Sequence, residues 1–152
     1  MRYQIIYFSD QIICAYMGYL TPNKDQTNSE FDNISNNIDN LEFLINSYTK
    51  YGERFVNNLK GLFNMAIIDK DNKKLFLLND RFGYFPLFYA IKGKAFSFAP
   101  EAKAIILGLS FEPEIEEASI PEFLSFKFPL GNKTFLKGIK RLKPGSIITY
   151  DL

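Results

Sequence analysis

Apolar residues in this chain come in short runs separated by polar turns, a pattern that predicts many short strands and few helices. Tyr3 to Phe8 and Ile12 to Leu20 are rich in β-branched and aromatic residues and flank Ser9-Asp10-Gln11, which reads as a hairpin. From Thr21 to Asn40 the chain is polar, with Phe31, Ile34 and Ile38 among its few apolar residues, so a short helix in a long surface loop is expected. Apolar side chains then recur at helical spacing from Leu41 to Tyr48, with Asp39 or Asn40 as cap and Gly52 as the stop. A second helix is expected from Glu53 to Leu59, presenting Phe55, Val56 and Leu59 on one face. Leu62 to Ile68 and Leu75 to Leu78 read as strands paired through the polar turn Asp69 to Lys73.

The stretch from Leu75 to Ile106 has its own internal order. Asn79-Asp80-Arg81-Phe82-Gly83 carries turn chemistry, and Pro86 then separates the first strand from a new one, Leu87 to Ala90. Lys92-Gly93-Lys94 has the polarity of a tight connection, returning the chain as Ala95 to Phe98. Pro100 and Glu101 start a helix that runs through Ala102 to Leu107 and ends at Gly108. Downstream, Ser119 to Phe126 reads as a short helix with Ser119 as cap and Pro121 in its first turn, and Ser146 to Tyr150 as a last strand.

Composition narrows the function classes. With 152 residues, 47% of them hydrophobic, the chain can bury a core of single-domain size. A net charge of +1 with interspersed signs gives no electrostatic footprint for nucleic acid. One Cys excludes an internal disulfide, which makes a cytoplasmic chain the default, and the absence of His leaves no zinc ligand set. No apolar run reaches the ~20 residues of a membrane span. No cofactor is expected.

The three blocks Asn79-Asp80-Arg81-Phe82-Gly83, Pro86-Leu87-Phe88-Tyr89 and Phe98-Ala99-Pro100-Glu101-Ala102-Lys103-Ala104-Ile105 stand in a set order. That order resembles the glutamine-hydrolysing domain of asparagine synthetases, whose pattern reads Arg-Asp-Arg-x-Gly, then Pro-Leu-Tyr-Tyr, then Phe-Ala-Ser-Glu-x-Lys-Ala-Leu. Tyr51-Gly52-Glu53, Asn58-Leu59-Lys60-Gly61 and Phe63 to Asp69 extend the likeness, as does Gly131 to Gly145 beside the family's Gly-x-x-Thr-Leu-Phe-x-Gly-Ile-x-x-Leu-Pro-Pro-Gly. The resemblance covers roughly Tyr16 to Leu152. It implies an α+β fold: the αββα sandwich of antiparallel sheets of N-terminal nucleophile hydrolases, here missing its first strand. Residues 1–152 are expected to form one such domain, and the synthetase domain's ATP-binding Ser-Gly-Gly-x-Asp-Ser loop is absent from them.

In that family an N-terminal Cys thiolate attacks the glutamine side-chain amide, its own α-amine serves as base, and a thioester then yields ammonia. Here Arg2 follows Met1, so the nucleophile is expected to be lacking, together with the Arg-Gly-Pro-Asp segment. Two alignments are open. One sets Cys14-Ala15-Tyr16-Met17-Gly18-Tyr19-Leu20 on the family's Cys-Gly-Ile-x-Gly-Tyr-Leu start, with cleavage after Ile13 freeing the amine. The other sets Gly18-Tyr19-Leu20 on Asn-Gly-Glu-Ile-Tyr-Asn, and the spacing to Glu42 favours it. The resemblance then implies Met17 in place of the oxyanion-hole Asn, Gly18 as the retained Gly, and neutral Asn40, beside Asp39, where an Asp would meet the glutamine amino group. Gly18, Asp39 and Asn40 are thus the candidate substrate-binding residues, Gly18 having as its ordinary role a close backbone approach. Cys14 is the one candidate nucleophile under the first alignment and a small buried strand residue under the second. Asp80 with Arg81 reads as an ion pair that organises its loop.

Three functions follow from these residues. The favoured expectation is a degenerate, non-catalytic scaffold or docking module of an asparagine synthetase-related protein. The alternatives are an active glutaminase supplying ammonia for asparagine synthesis, through processed Cys14 or through a nucleophile on an N-terminal segment missing here, and a small-molecule-binding regulatory domain using the glutamine pocket. Loss of a first strand would uncover a sheet edge, so association with a synthetase domain, a partner protein or a second copy is expected.

Overall fold

The computed structural model describes residues 4–22, 37–110 and 112–152. Strands β1 (Gln4–Phe8) and β2 (Ile12–Pro22) form the expected hairpin, with Ser9 closing the turn through its hydroxyl and backbone to Ile12. Strand β2 then pairs along its whole length with β3 (Leu59–Asp69), and β3 with β4 (Lys74–Asn79). With the last strand, β8 (Ile147–Asp151), they make a five-stranded antiparallel sheet in the order β1-β2-β3-β4-β8. A second sheet has the order β6-β5-β7, from β5 (Phe88–Lys92), β6 (Ala95–Ala99) and the unexpected three-residue β7 (Ile139–Arg141).

Alternation along the central strands sorts the core into layers. Cys14, Tyr16, Met65, Ile67, Phe76 and Leu78 belong to a buried cluster with Leu44, Tyr48 and Phe55, so helix α1 (Asn37–Tyr51) and the 3-10 segment Gly52–Asn58 cover one face of the large sheet. Ala66, Leu75, Leu77 and Leu87 fill the space between the sheets with Phe96, Phe98 and Tyr150. Ala90, Ile105 and Ile139 lie on the far side of the small sheet, beneath helix α2 (Ala102–Leu109). The arrangement is helix, sheet, sheet, helix, the α+β sandwich that the resemblance implies.

Several boundaries differ from the sequence pattern. Glu53 to Leu59 is not an α-helix but a 3-10 segment, because Leu59, Lys60 and Gly61 are drawn into the ladder opposite Pro22, Thr21 and Leu20. A run that short gains little from helical propagation, so strand pairing wins. Asp39 and Asn40 lie inside α1, not at its cap, where the free N–H groups of a first turn suit such residues. Pro100 precedes the N-cap, Glu101, and Gly108 is helical, with Ser110 taking the left-handed turn at φ 48°. Ser119 begins helix α3 (Ser119–Phe126) without capping it: its hydroxyl is buried and donates to the Thr134 carbonyl instead. The helix expected between Thr21 and Asn40 falls largely outside the described residues. No helix among those described is long and apolar enough to cross a membrane.

Candidate functional site

Strand β2 carries three of the residues singled out from sequence, and alternation sends them to different places. Cys14 pairs with Tyr7 on one side and Ile67 on the other, and its side chain, 0% exposed, lies in the layer under α1. Burial pushes its thiol up to about 12, so next to no thiolate exists at neutral pH. Met17 belongs to the opposite face and lines a cavity between the sheets. Cys14 and Met17 therefore share no pocket.

Gly18 holds φ 122°, and a Cβ there would stand 2.1 Å from the Leu62 carbonyl oxygen and 2.9 Å from the Phe85 ring. Gly61 mirrors it from the facing strand, at φ 143°, where a Cβ would meet the Tyr19 carbonyl oxygen at 2.1 Å. The two glycines bracket the Tyr19–Leu62 pair and let the backbones approach on both sides of it. Asp39 and Asn40 sit in the first turn of α1, and their side chains lie outside the described residues.

The loop after β4 is built on Asp80, which is buried. Its carboxylate accepts the backbone N–H groups of Phe82 at 2.8 Å, Tyr84 at 3.1 Å and Phe63 at 3.2 Å. Its carbonyl accepts from Gly83 and Gly145, so one residue ties the loop to β3 and to the turn before β8. Arg81 is exposed, and the expected Asp80–Arg81 ion pair is not among those the described residues form. Three backbone donors already serve the carboxylate, which leaves the guanidinium free to stay in water.

Two polar features were not legible as sites. Tyr48 of α1 donates to Asp69 at 2.6 Å, and Asn72 donates to the same carboxylate through its backbone N–H and its side chain. Burial pushes Asp69 up, and these hydrogen bonds outweigh it and hold the carboxyl below its ordinary value. Burial, followed by the bond to Asp69, raises Tyr48. The second feature is Asn64 on β3, buried between the sheets with apolar neighbours from Leu62 to Ile68; a polar residue at an inward position was the signal that could have found it. Among the described residues no three His, Cys, Asp or Glu side chains cluster to hold a metal ion.

A glutamine amidotransferase domain family model matches residues 14–152. The chain belongs to that family. Asparagine synthetase [glutamine-hydrolyzing] 3 of Bacillus subtilis (strain 168) is 32% identical over 115 residues, 72% of this chain and 18% of the relative. Asparagine synthetase [glutamine-hydrolyzing] 1 of the same organism is 29% identical over 114 residues, and amidase chry2 of Gibberella zeae 28% over 122 residues, 17% of its own length. This glutamine amidotransferase domain thus spans less than a fifth of the length of these relatives.

Proposed function

We propose that this glutamine amidotransferase domain is a non-catalytic docking module of an asparagine synthetase-related, cytoplasmic protein. The observation that carries the reading is the setting of Cys14. A working nucleophile of this type needs its own free amine and an accessible thiolate. Cys14 has a strand partner on each side, no exposure and a thiol held protonated by burial. Cleavage after Ile13 would sever β1 from the strand it pairs with and place the new amine in mid-sheet. Met17 adds to the case: its thioether offers no N–H to a developing oxyanion, and loss of one such donor commonly costs ~10²-fold or more in rate.

Docking is supported by the surface. Ile120, Phe123, Leu124 and Phe126 of α3, with Phe128 beyond it, are all exposed, an apolar concentration that a lone domain rarely presents to water. A synthetase domain, in the same polypeptide or a separate one, is the partner this reading assigns to that surface.

The test is ammonia or glutamate release from glutamine by the purified chain, with intact mass checked for cleavage after Ile13 and Cys14→Ala as control. No release, an uncleaved mass and no difference between the two proteins are expected. Release that disappears in Cys14→Ala would make this a processed, working glutaminase and sink the proposal.

A further inference from the structure

Asn64 is 5% exposed, and its Nδ2 donates to the Pro86 carbonyl at 3.0 Å. That bond sets the orientation of the amide, because the flipped group would press an oxygen against the carbonyl. Its Oδ1 has no hydrogen-bond partner among the described residues. The cross-strand neighbour, Asn79, does not supply one: its Oδ1 accepts from Ser146, and its Nδ2, itself a buried donor without a partner among the described residues, lies toward Gly83, 3.3 Å from where a Cβ there would be. A buried acceptor without a donor is unfavourable, and most such atoms are satisfied.

Asn64 borders a cavity of about 220 Å³ between the two sheets, walled by Met17, Leu77, Leu87, Phe98, Ala99 and Pro100 among others. A smaller apolar cavity of about 150 Å³ admits benzene, so this space is adequate for a ring with a substituent. Its walls carry no charged side chain. A zwitterionic amino acid such as glutamine would find no charged partner on those walls.

We propose that this cavity binds a small, uncharged, largely apolar molecule carrying one O–H or N–H donor, of the phenol, alcohol or indole class, whose donor meets Asn64 Oδ1. The apolar walls supply the affinity and the single acceptor supplies orientation and selectivity. A site that hydrogen-bonds its ligand rejects the analogue lacking the donor, because the buried acceptor is then left unpaired. The inference goes beyond the docking reading and does not depend on it.

The test uses the full chain with phenol and anisole as probes, which differ in the donor, and glutamine as a third. Titration is followed by the NMR methyl resonances of Met17, Leu77 and Leu87. Phenol is expected to shift these resonances saturably, anisole to bind at least about fivefold more weakly, and glutamine to leave them unmoved. In Asn64→Leu the difference between phenol and anisole should vanish. If that variant does not fold, the phenol-to-anisole ratio on the unaltered chain decides. Equal affinities, shifts confined to other resonances, no binding of phenol, or displacement of phenol by glutamine would each overturn the proposal.

Discussion

The Gly18 and Gly61 positions show how a single missing Cβ shapes this sheet. Their positive φ values lie in a region closed to other residues, and each faces a carbonyl oxygen 2.1 Å from where a Cβ would be. Gly18→Ala is therefore expected to destabilise the fold by more than about 3 kcal/mol, a large part of a typical domain's stability. Urea denaturation of the variant checks this, and a loss below 1 kcal/mol would show that the strands can part without cost. Gly18 could be singled out from its motif, and a close backbone approach, the ordinary role of a strand glycine, is the one the structure gives it. Cys14 was legible as a buried strand residue, since free Cys commonly sits there. Asn64 was not: an Asn in an apolar strand can point into a turn, a cavity or a partner, and only the facing sheet settles which.

Between elements, the Tyr48–Asp69 hydrogen bond fastens α1 to the turn joining β3 and β4, and Lys74 with Glu53 adds an exposed pair nearby. Tyr48→Phe removes the donor and leaves the buried carboxylate less served, which should cost about 1.5–3 kcal/mol at neutral pH. The pH dependence has a definite sign. Asp69 titrates lower when folded than when unfolded, so its contribution is full above the unfolded value of about 4 and fades as pH falls through the folded one. Acid melts should show the two proteins converging below pH 4, and a gap that stays constant there would count against this assignment. Strands and turns were readable from alternation and Asx-rich connections, and so was α1 from its helical spacing. The 3-10 segment and the early start of β3 were not, because β2 pairs farther along the chain than local propensity indicates.

For the molecule as a whole, the layers are closed by helices α1 and α2 on the outer faces, while the apolar side chains of α3 and Phe128 remain in contact with water. The isolated chain is expected to bind a dye that reports exposed apolar surface, and to self-associate at high concentration. Leu124→Lys with Phe128→Lys should abolish both effects without changing the melting temperature by more than a few degrees. A monomer in light scattering with no dye binding would count against the docking surface. The sequence by itself determined the alternation of each strand, the turns between them and membership of the glutamine amidotransferase family, since these are encoded in residues close together along the chain. Only the tertiary structure decided that α1 covers the Cys14 face of the sheet and the second sheet the Met17 face, that Asp80 is held by backbone donors and not by Arg81, and that Asn64 borders a cavity. Each of those depends on which distant strand, loop or helix comes to lie against the residue, and packing rather than local preference makes that choice.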